Sequence, residues 1–413
     1  MQGVALAPRQ WLAYGLFGLP LAMVALPVYV HVPRLYAETG MNLALLGFLL
    51  LGTRLLDAFV DPLLGGWSDR TVNRQRLILL ALPFLAIGML GLMHPQETRT
   101  ALWLLLALLA TYFGFSLASI AYQAWGAELG GNSGERTLLT ACREGFGLLG
   151  VVLASILPLW LASDVASGLA QLAWVFVPVL LVGAALTLLG APRVPTRSPV
   201  SESSSLYQAL SDGRFRRLLL VFVANGTAAA LPATLVLFFV ADVLQAEKSG
   251  GFFLALYFVA GVAGLPLWLR LSRRIGRVHA WLTSMALACA AFIGALTLGA
   301  GDVWPFALVC LASGLAFGAD LALPPALLAD MAESPQAKAG AGSYFGWWNL
   351  VTKLNLALAA GIALPLLGVL GYQPGGSSGL LSLALVYCLL PVALKLVAAA
   401  LAWRWRRILE VQS

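Results

Sequence analysis

The sequence predicts an all-α membrane protein of about twelve transmembrane helices, arranged as two six-helix bundles. Three observations predict it. Hydrophobic residues make up 60% of the 413 residues and charged residues only 10%. A soluble domain is nearer half apolar and a quarter charged, so this chain has too little polar surface to face water, and its solvent is lipid. Apolar runs long enough to cross a hydrocarbon core of about 30 Å recur from end to end. One long polar stretch divides them six and six.

The first run, 11–31, follows Arg9 and has no small-residue cleavage site at signal-peptide length, so it reads as a retained span. Runs at 42–65, 77–93, 101–126, 140–162 and 171–190 complete the first half. The Pro/Ser-rich segment "APRVPTRSPVSESSSLYQALSDGRFRR" then reads as a linker, with a short surface helix within "SSSLYQALSDGRF". Runs at 217–241, 251–270, 279–299, 303–329, 341–370 and 380–403 form the second half. The expected organisation is an N-terminal bundle over 1–191, a linker over 192–215 and a C-terminal bundle over 216–413.

Lys and Arg fix the orientation, because cytoplasmic loops carry them in excess. With the N-terminus inside, eighteen fall in inside segments and only Arg34, Arg99 and Lys248 outside. Both termini are therefore expected in the cytoplasm, in a bacterial inner membrane. The net charge of +7 is then a topology signal, and no nucleic-acid partner is expected. The loops "GGWSDRTVNRQR" and "LPLWLRLSRRIGR" occupy matching places in the two halves. Repeated six-helix halves suggest a major-facilitator-type secondary transporter with its substrate cavity between them. Cys142, Cys289, Cys310 and Cys388 lie in or beside apolar runs and read as small buried hydrophobes. His31, His94 and His279 sit at span ends, and no HExxH, GxSxG or GxxxxGK[ST] pattern occurs. No enzyme, metal centre or cofactor is expected.

Function should reside where charge enters the apolar runs, since an ionisable group there costs a few kcal/mol or more unless paired or hydrated. In "TRLLDAFVDP", Arg54, Asp57 and Asp61 share one helical stripe. Two carboxylates one turn apart can grip a small cation or share a proton, and cannot both ionise cheaply without a counter-charge. The bland reading is an Arg54–Asp57 ion pair. Pro62 follows and is expected to loosen the helix. Lys353 lies mid-span in "WWNLVTKLNLALAAG", one turn beyond Asn349, as a counter-charge to those carboxylates or a lysine snorkelling to an interface. Lys395, nearer a span end, reads as snorkelling. Ser119, Tyr122, Gln123, Trp125, Arg143, Trp348, Asn349 and Asn225 are expected to line the cavity. Asn225 and Asp320 equally suit structural hydrogen bonds. Arg143 and Glu144 form either a gate with Arg136 or Glu128, or an interfacial charge pair.

"RLLDAFVDPLLGGWSDR" resembles the span-2 signature of the glycoside–pentoside–hexuronide:cation symporters. "AYQAWGAEL", "GERTLLTACREG", "ALLADMAE" and "GSYFGWWNLVTKLNLALAAGI" resemble that family's later landmarks in order, over nearly the whole chain. The resemblance implies a major-facilitator fold and alternating access. It makes Asp57 and Asp61 the cation-binding carboxylates and Ser116 their hydroxyl partner. Lys353 becomes the residue linking the cation site to the substrate site, with Arg54 beside it in the coupling, and Arg143 the span-5 arginine near the cytoplasmic closure.

Departures from the family pattern shape the expectation. Val60 stands where melibiose-type members carry an asparagine that supplies a sodium oxygen, which leans from Na⁺ toward H⁺. Pro20 and Ser119 stand where sugar-binding members carry aspartates, which weighs against a sugar. The expectation is a monomeric H⁺- or Na⁺-coupled symporter for a small molecule. A lysophospholipid or other amphiphile transporter, and an H⁺-coupled drug antiporter, are the alternatives. Cation binding would neutralise Asp57 and Asp61 first and so release Lys353 and Arg54.

Overall fold

The computed structural model describes residues 7–39, 41–96, 99–192, 207–373, 376 and 378–410. These residues form helices, with no strand among them. Most of the linker, 193–206, lies outside the described residues.

The first apolar run is not one regular helix. It comprises α1 (Pro8–Leu16), α2 (Gly18–Leu26), a π-helical turn over Pro27–His31 and α3 (Val32–Glu38). Pro20, Pro27 and Pro33 each remove an N–H donor and crowd the carbonyl four residues before, so the run is interrupted. The first half continues through α4 (Leu43–Arg70), α5 (Arg74–Met93), α6 (Thr100–Leu129), α7 (Ser133–Leu161) and α8 (Val165–Gly190). After the short α9 (Gln208–Ser211) come α10 (Gly213–Phe238), α11 (Gly250–Ile275), α12 (Arg277–Ala295), α13 (Val303–Ala332), α14 (Ala341–Val369) and α15 (Leu380–Leu409). Polar side chains set several starts: Asn73, Asn132, Asp164 and Asp212 each accept a backbone N–H of the first turn.

Among the described residues, ten helices are long and apolar enough to cross a membrane, which marks an integral membrane protein. The two expected spans outside those ten are the interrupted first run and α4. The latter carries Arg54, Asp57 and Asp61 in its middle and Asp69 and Arg70 at its end, which lowers its hydropathy. Pro62 does not break α4, which runs unbroken past it. Neighbouring elements re-satisfy the backbone around a membrane proline.

The chain divides into two compact units, Met1–Ser211 with Ala332–Leu350, and Asp212–Met331 with Val351–Ser413. In the first, α5 and α6 approach closely at two glycines. A Cβ on Gly88 would sit 2.3 Å from Thr111 Oγ1, and one on Gly114 2.9 Å from the Leu85 nitrogen. In the second, Phe239 stacks on Tyr387 at 4.3 Å, and Phe253 meets Phe306 edge-on.

Both units repeat one electrostatic device. Arg74 opens α5 and pairs with Glu128 at the end of α6 (2.9 Å) and with Asp69 (3.0 Å). Arg277 opens α12 and pairs with Asp330 at the end of α13. Both arginines are buried. An arginine at the head of the third span and an acid at the foot of the fourth therefore recur in each half.

Candidate functional site

Helix α4 separates its two faces cleanly. Phe48, Leu55, Leu56, Phe59 and Leu63 are exposed on one side. Thr53, Asp57, Asp61, Leu64 and Ser68 are buried, spaced by three or four residues along the inner face. The carboxylates are thus turned inward: Asp57 is 6% exposed and Asp61 0%. Ser116, on α6, donates its hydroxyl hydrogen to Asp57 Oδ1 at 2.7 Å. Such a bond to a charged acceptor is worth roughly 1.5–3 kcal/mol. The serine oxygen keeps its lone pairs, so it and the Asp57 carboxylate present several oxygens side by side.

A second polar group lies on α6 and the start of α14, within the same unit. Gln123 Nε2 donates to Ser119 Oγ at 2.7 Å and to Asn349 Oδ1 at 3.3 Å. The structure therefore joins three of the residues expected at the cavity. Tyr122 and Trp125, expected there too, are instead core residues. Tyr122 donates to the Tyr14 carbonyl, Tyr14 donates back to the Tyr122 carbonyl at 3.0 Å, and Trp125 packs edge-on against Tyr14. Successive residues on one helix point in different directions, and the α6 side holding Tyr122 and Trp125 meets α1. Trp348 is also buried.

Arg143 is buried and pairs with its neighbour Glu144, Nη2 to Oε1, at 2.6 Å. The expected gate partners are engaged elsewhere: Glu128 holds Arg74, and Arg136 Nε donates to the Ala127 carbonyl at 3.1 Å. Arg54 and Lys353 are both half-buried, Arg54 on α4 and Lys353 on the part of α14 that belongs to the second unit.

The second unit corrects the reading of Lys395. Rather than snorkelling, this lysine is 3% exposed and bonded to Asp320 Oδ2 (3.0 Å) and Asn225 Oδ1 (2.9 Å). Asn225 and Trp281 complete the group by donating to Asp320 Oδ1 at 2.9 and 2.8 Å.

Asp69 has a role that the sequence reading missed. It accepts the backbone N–H groups of Gly342 (2.7 Å) and Ser343 (2.8 Å) and the Ser343 hydroxyl (2.6 Å), capping the start of α14. The approach depends on glycine. A Cβ on Gly340 would fall 2.3 Å from the Asp69 carboxyl carbon, one on Gly342 2.4 Å from the Gly65 carbonyl, and one on Gly346 2.7 Å from the Asp61 carbonyl. The spacing of Gly340, Gly342 and Gly346 ahead of an apolar run was the available signal.

All four cysteines are free, and no group of His, Cys, Asp or Glu among the described residues is arranged to hold a metal ion. Residues 11–406 match the family described as MFS/sugar transport protein. The chain belongs to that family. This is the glycoside–pentoside–hexuronide:cation symporter type of major-facilitator protein, and it makes the chain a transporter rather than an enzyme. The likeness of this chain to solved structures shows its fold. A bacterial homologue of the iron transporter ferroportin in an outward-facing state has a TM-score of 0.76 at 17% identity, covering 97% of this chain and 100% of that one. The E. coli fucose:proton symporter has 0.70 at 14%, covering 95% and 98%. The proton:xylose symporter XylE has 0.71 at 13%, covering 96% and 94%. A comparison with curated protein sequences gives no match.

Proposed function

We propose that this protein is a cation-coupled symporter of about twelve spans working by alternating access, with Asp57, Asp61 and Ser116 as the cation site. Lys353 and Arg54 are the proposed coupling residues, and Ser119, Gln123 and Asn349 contribute to the substrate site. The proposed setting is a bacterial inner membrane, with both termini in the cytoplasm. The observation carrying the reading is the Ser116–Asp57 hydrogen bond, with Asp61 one turn along the same buried face.

The coupling ion follows from the donor set. Two carboxylates this close along one helix share a proton readily. Val60 supplies no side-chain oxygen, so the set is thin for an alkali cation and suits H⁺ better. The known transport of sugars with protons by the two symporters of like fold agrees with this assignment and goes no further.

The test is thermal unfolding of the purified protein across pH, in Na⁺ and in K⁺, for wild type and Asp61→Asn. Proton coupling predicts a pH-dependent midpoint in wild type that flattens in Asp61→Asn, with no difference between the salts. A Na⁺-specific rise that Asp61→Asn abolishes assigns Na⁺ instead. Identical responses of the two proteins would remove Asp61 from the cation site.

A further inference from the structure

The group at Asp320 is ionic, buried and not used by the cation site proposed above. Four helices supply it: Asn225 from α10, Trp281 from α12, Asp320 from α13 and Lys395 from α15. A structural acceptor at this depth needs no charge. A neutral amide would bind the same donors without the cost of desolvating two ions, and a buried ion pair often stabilises less than apolar packing does. An ionisable pair kept inside membrane helices therefore calls for a functional reading.

An ammonium already occupies the carboxylate, so a metal or alkali cation has no place there. Two neutral N–H donors and the ammonium all donate to it. What remains is its spare capacity. A carboxylate offers about four acceptor positions. Oδ1 takes Asn225 and Trp281, Oδ2 takes Lys395, and one position on Oδ2 is left over among the described residues.

The Asp320 side chain is 10% exposed and that of Lys395 only 4%, so the carboxylate is the more accessible member of the pair. One turn before Asp320 on α13, Phe317 stacks on Tyr257 at 5.1 Å, and both rings are half-buried. Tyr257 lies within electrostatic reach of Asp320, and Cys289 within reach of Lys395. The same face of α13 packs closely on α11, where a Cβ on Gly314 would fall 2.3 Å from the Tyr257 carbonyl and one on Gly318 2.5 Å from the Gly261 carbonyl.

We propose that Asp320, aimed by Lys395, Asn225 and Trp281, is a solute-contacting acceptor of the second unit that selects uncharged hydrogen-bond donors. Uncharged solutes are selected because the Asp320–Lys395 pair has no net charge to stabilise an ion, while a low-dielectric surround penalises one. The Phe317–Tyr257 stack supplies the apolar wall beside the acceptor. The proposal rests on the transporter reading but not on the cation site at Asp57 and Asp61, and its test reads neither coupling nor uptake.

A reporter cysteine introduced by Phe317→Cys in the full chain is treated with three methanethiosulfonates of similar size. They carry an uncharged hydroxyethyl, a cationic trimethylammonioethyl and an anionic sulfonatoethyl group. Each rate is divided by that reagent's rate with a free thiol, and the chain without the reporter gives the background of the four native cysteines. With the pair intact, the uncharged reagent reacts fastest. Lys395→Met raises the cation-to-anion rate ratio roughly tenfold, and Asp320→Asn lowers it by a similar factor, from the Coulomb energy of one unneutralised charge at short range. The double variant Asp320→Asn/Lys395→Met returns the ratio to its starting value. If Lys395→Met fails to fold, Asn225→Asp adds a carboxylate beside the pair and supplies the negative arm. A second reporter, Tyr257→Cys, repeats the measurement from α11. Failure of both reporters to react with the uncharged reagent overturns the proposal. So does a charged reagent reacting fastest with the intact pair, or a ratio that neither charge removal moves.

Discussion

Replacing Arg74 by methionine tests the charge device that both halves share. The guanidinium is 7% exposed and bonds Glu128 through Nε, Asp69 through Nη2 and Ser68 through Nη1. Methionine keeps much of the side-chain volume and removes every donor. The buried Asp69 and the part-buried Glu128 then lose their shared counter-charge, and breaking a buried pair from one side costs about 3–5 kcal/mol. Glu128→Gln removes one of those charges and costs less in the Arg74→Met background than in wild type. The assay is equilibrium unfolding in detergent of wild type, both single variants and the double. Contacting residues couple by about 0.5–3 kcal/mol in such a cycle. The expected coupling lies in the upper part of that range, because the bond is short, charge-assisted and mostly shielded from water. A loss below about 1 kcal/mol for Arg74→Met, or strictly additive costs, would refute the assignment. Arg277→Met should behave alike in the second unit, where Asp330 is the buried partner.

Three further outcomes follow from single contacts. Gly342→Ala should sharply lower the yield of folded protein, because its Cβ would press on the Gly65 backbone, whereas Gly361→Ala, with nothing within 4 Å, should not; size-exclusion profiles compare them. Ser116→Ala should lower unfolding stability by roughly 1.5–3 kcal/mol through loss of the Asp57 bond, read by equilibrium unfolding in detergent. Glu410→Gln weakens the carboxylate that accepts the N–H groups of Arg277 (2.8 Å) and Val278 (2.9 Å), and hydrogen exchange at the start of α12 should accelerate.

The helical architecture was legible because lipid imposes long apolar runs, and the inward stripe of α4 because 3.6-residue periodicity puts Asp57 and Asp61 on one face. Lys395 was misread through a boundary. The apolar run seemed to end near 403, which put the lysine close to a membrane surface. The helix in fact continues through "RWRRIL" to Leu409, and Lys395 falls at its centre. Its partners Asn225 and Asp320 were visible as polar residues at depth, but nothing local along the chain says that α10, α13 and α15 meet. Tyr122 and Trp125 were misplaced for a related reason: residue type suggested a binding wall, while the direction each side chain takes is fixed by which helix packs on which face. The Asp69 cap was hidden because hydrogen bonds to backbone amides leave no mark on the partner's side chains, except the glycines that the close approach requires.

The two ionic groups differ in what their surroundings allow. Asp320 stands with an ammonium and two neutral donors. Asp57 and Asp61 lie one turn apart on a single helix, with Ser116 on Asp57. The proposed cation site therefore lies on α4, and the proposed solute acceptor lies in the second unit. The separation has a consequence for pH dependence. Asp320→Asn should alter which solutes bind yet leave the pH response of unfolding in place, whereas Asp61→Asn should flatten that response. Reversal of the two results would show that the proton site lies at Asp320 and that α4 holds a fixed charge.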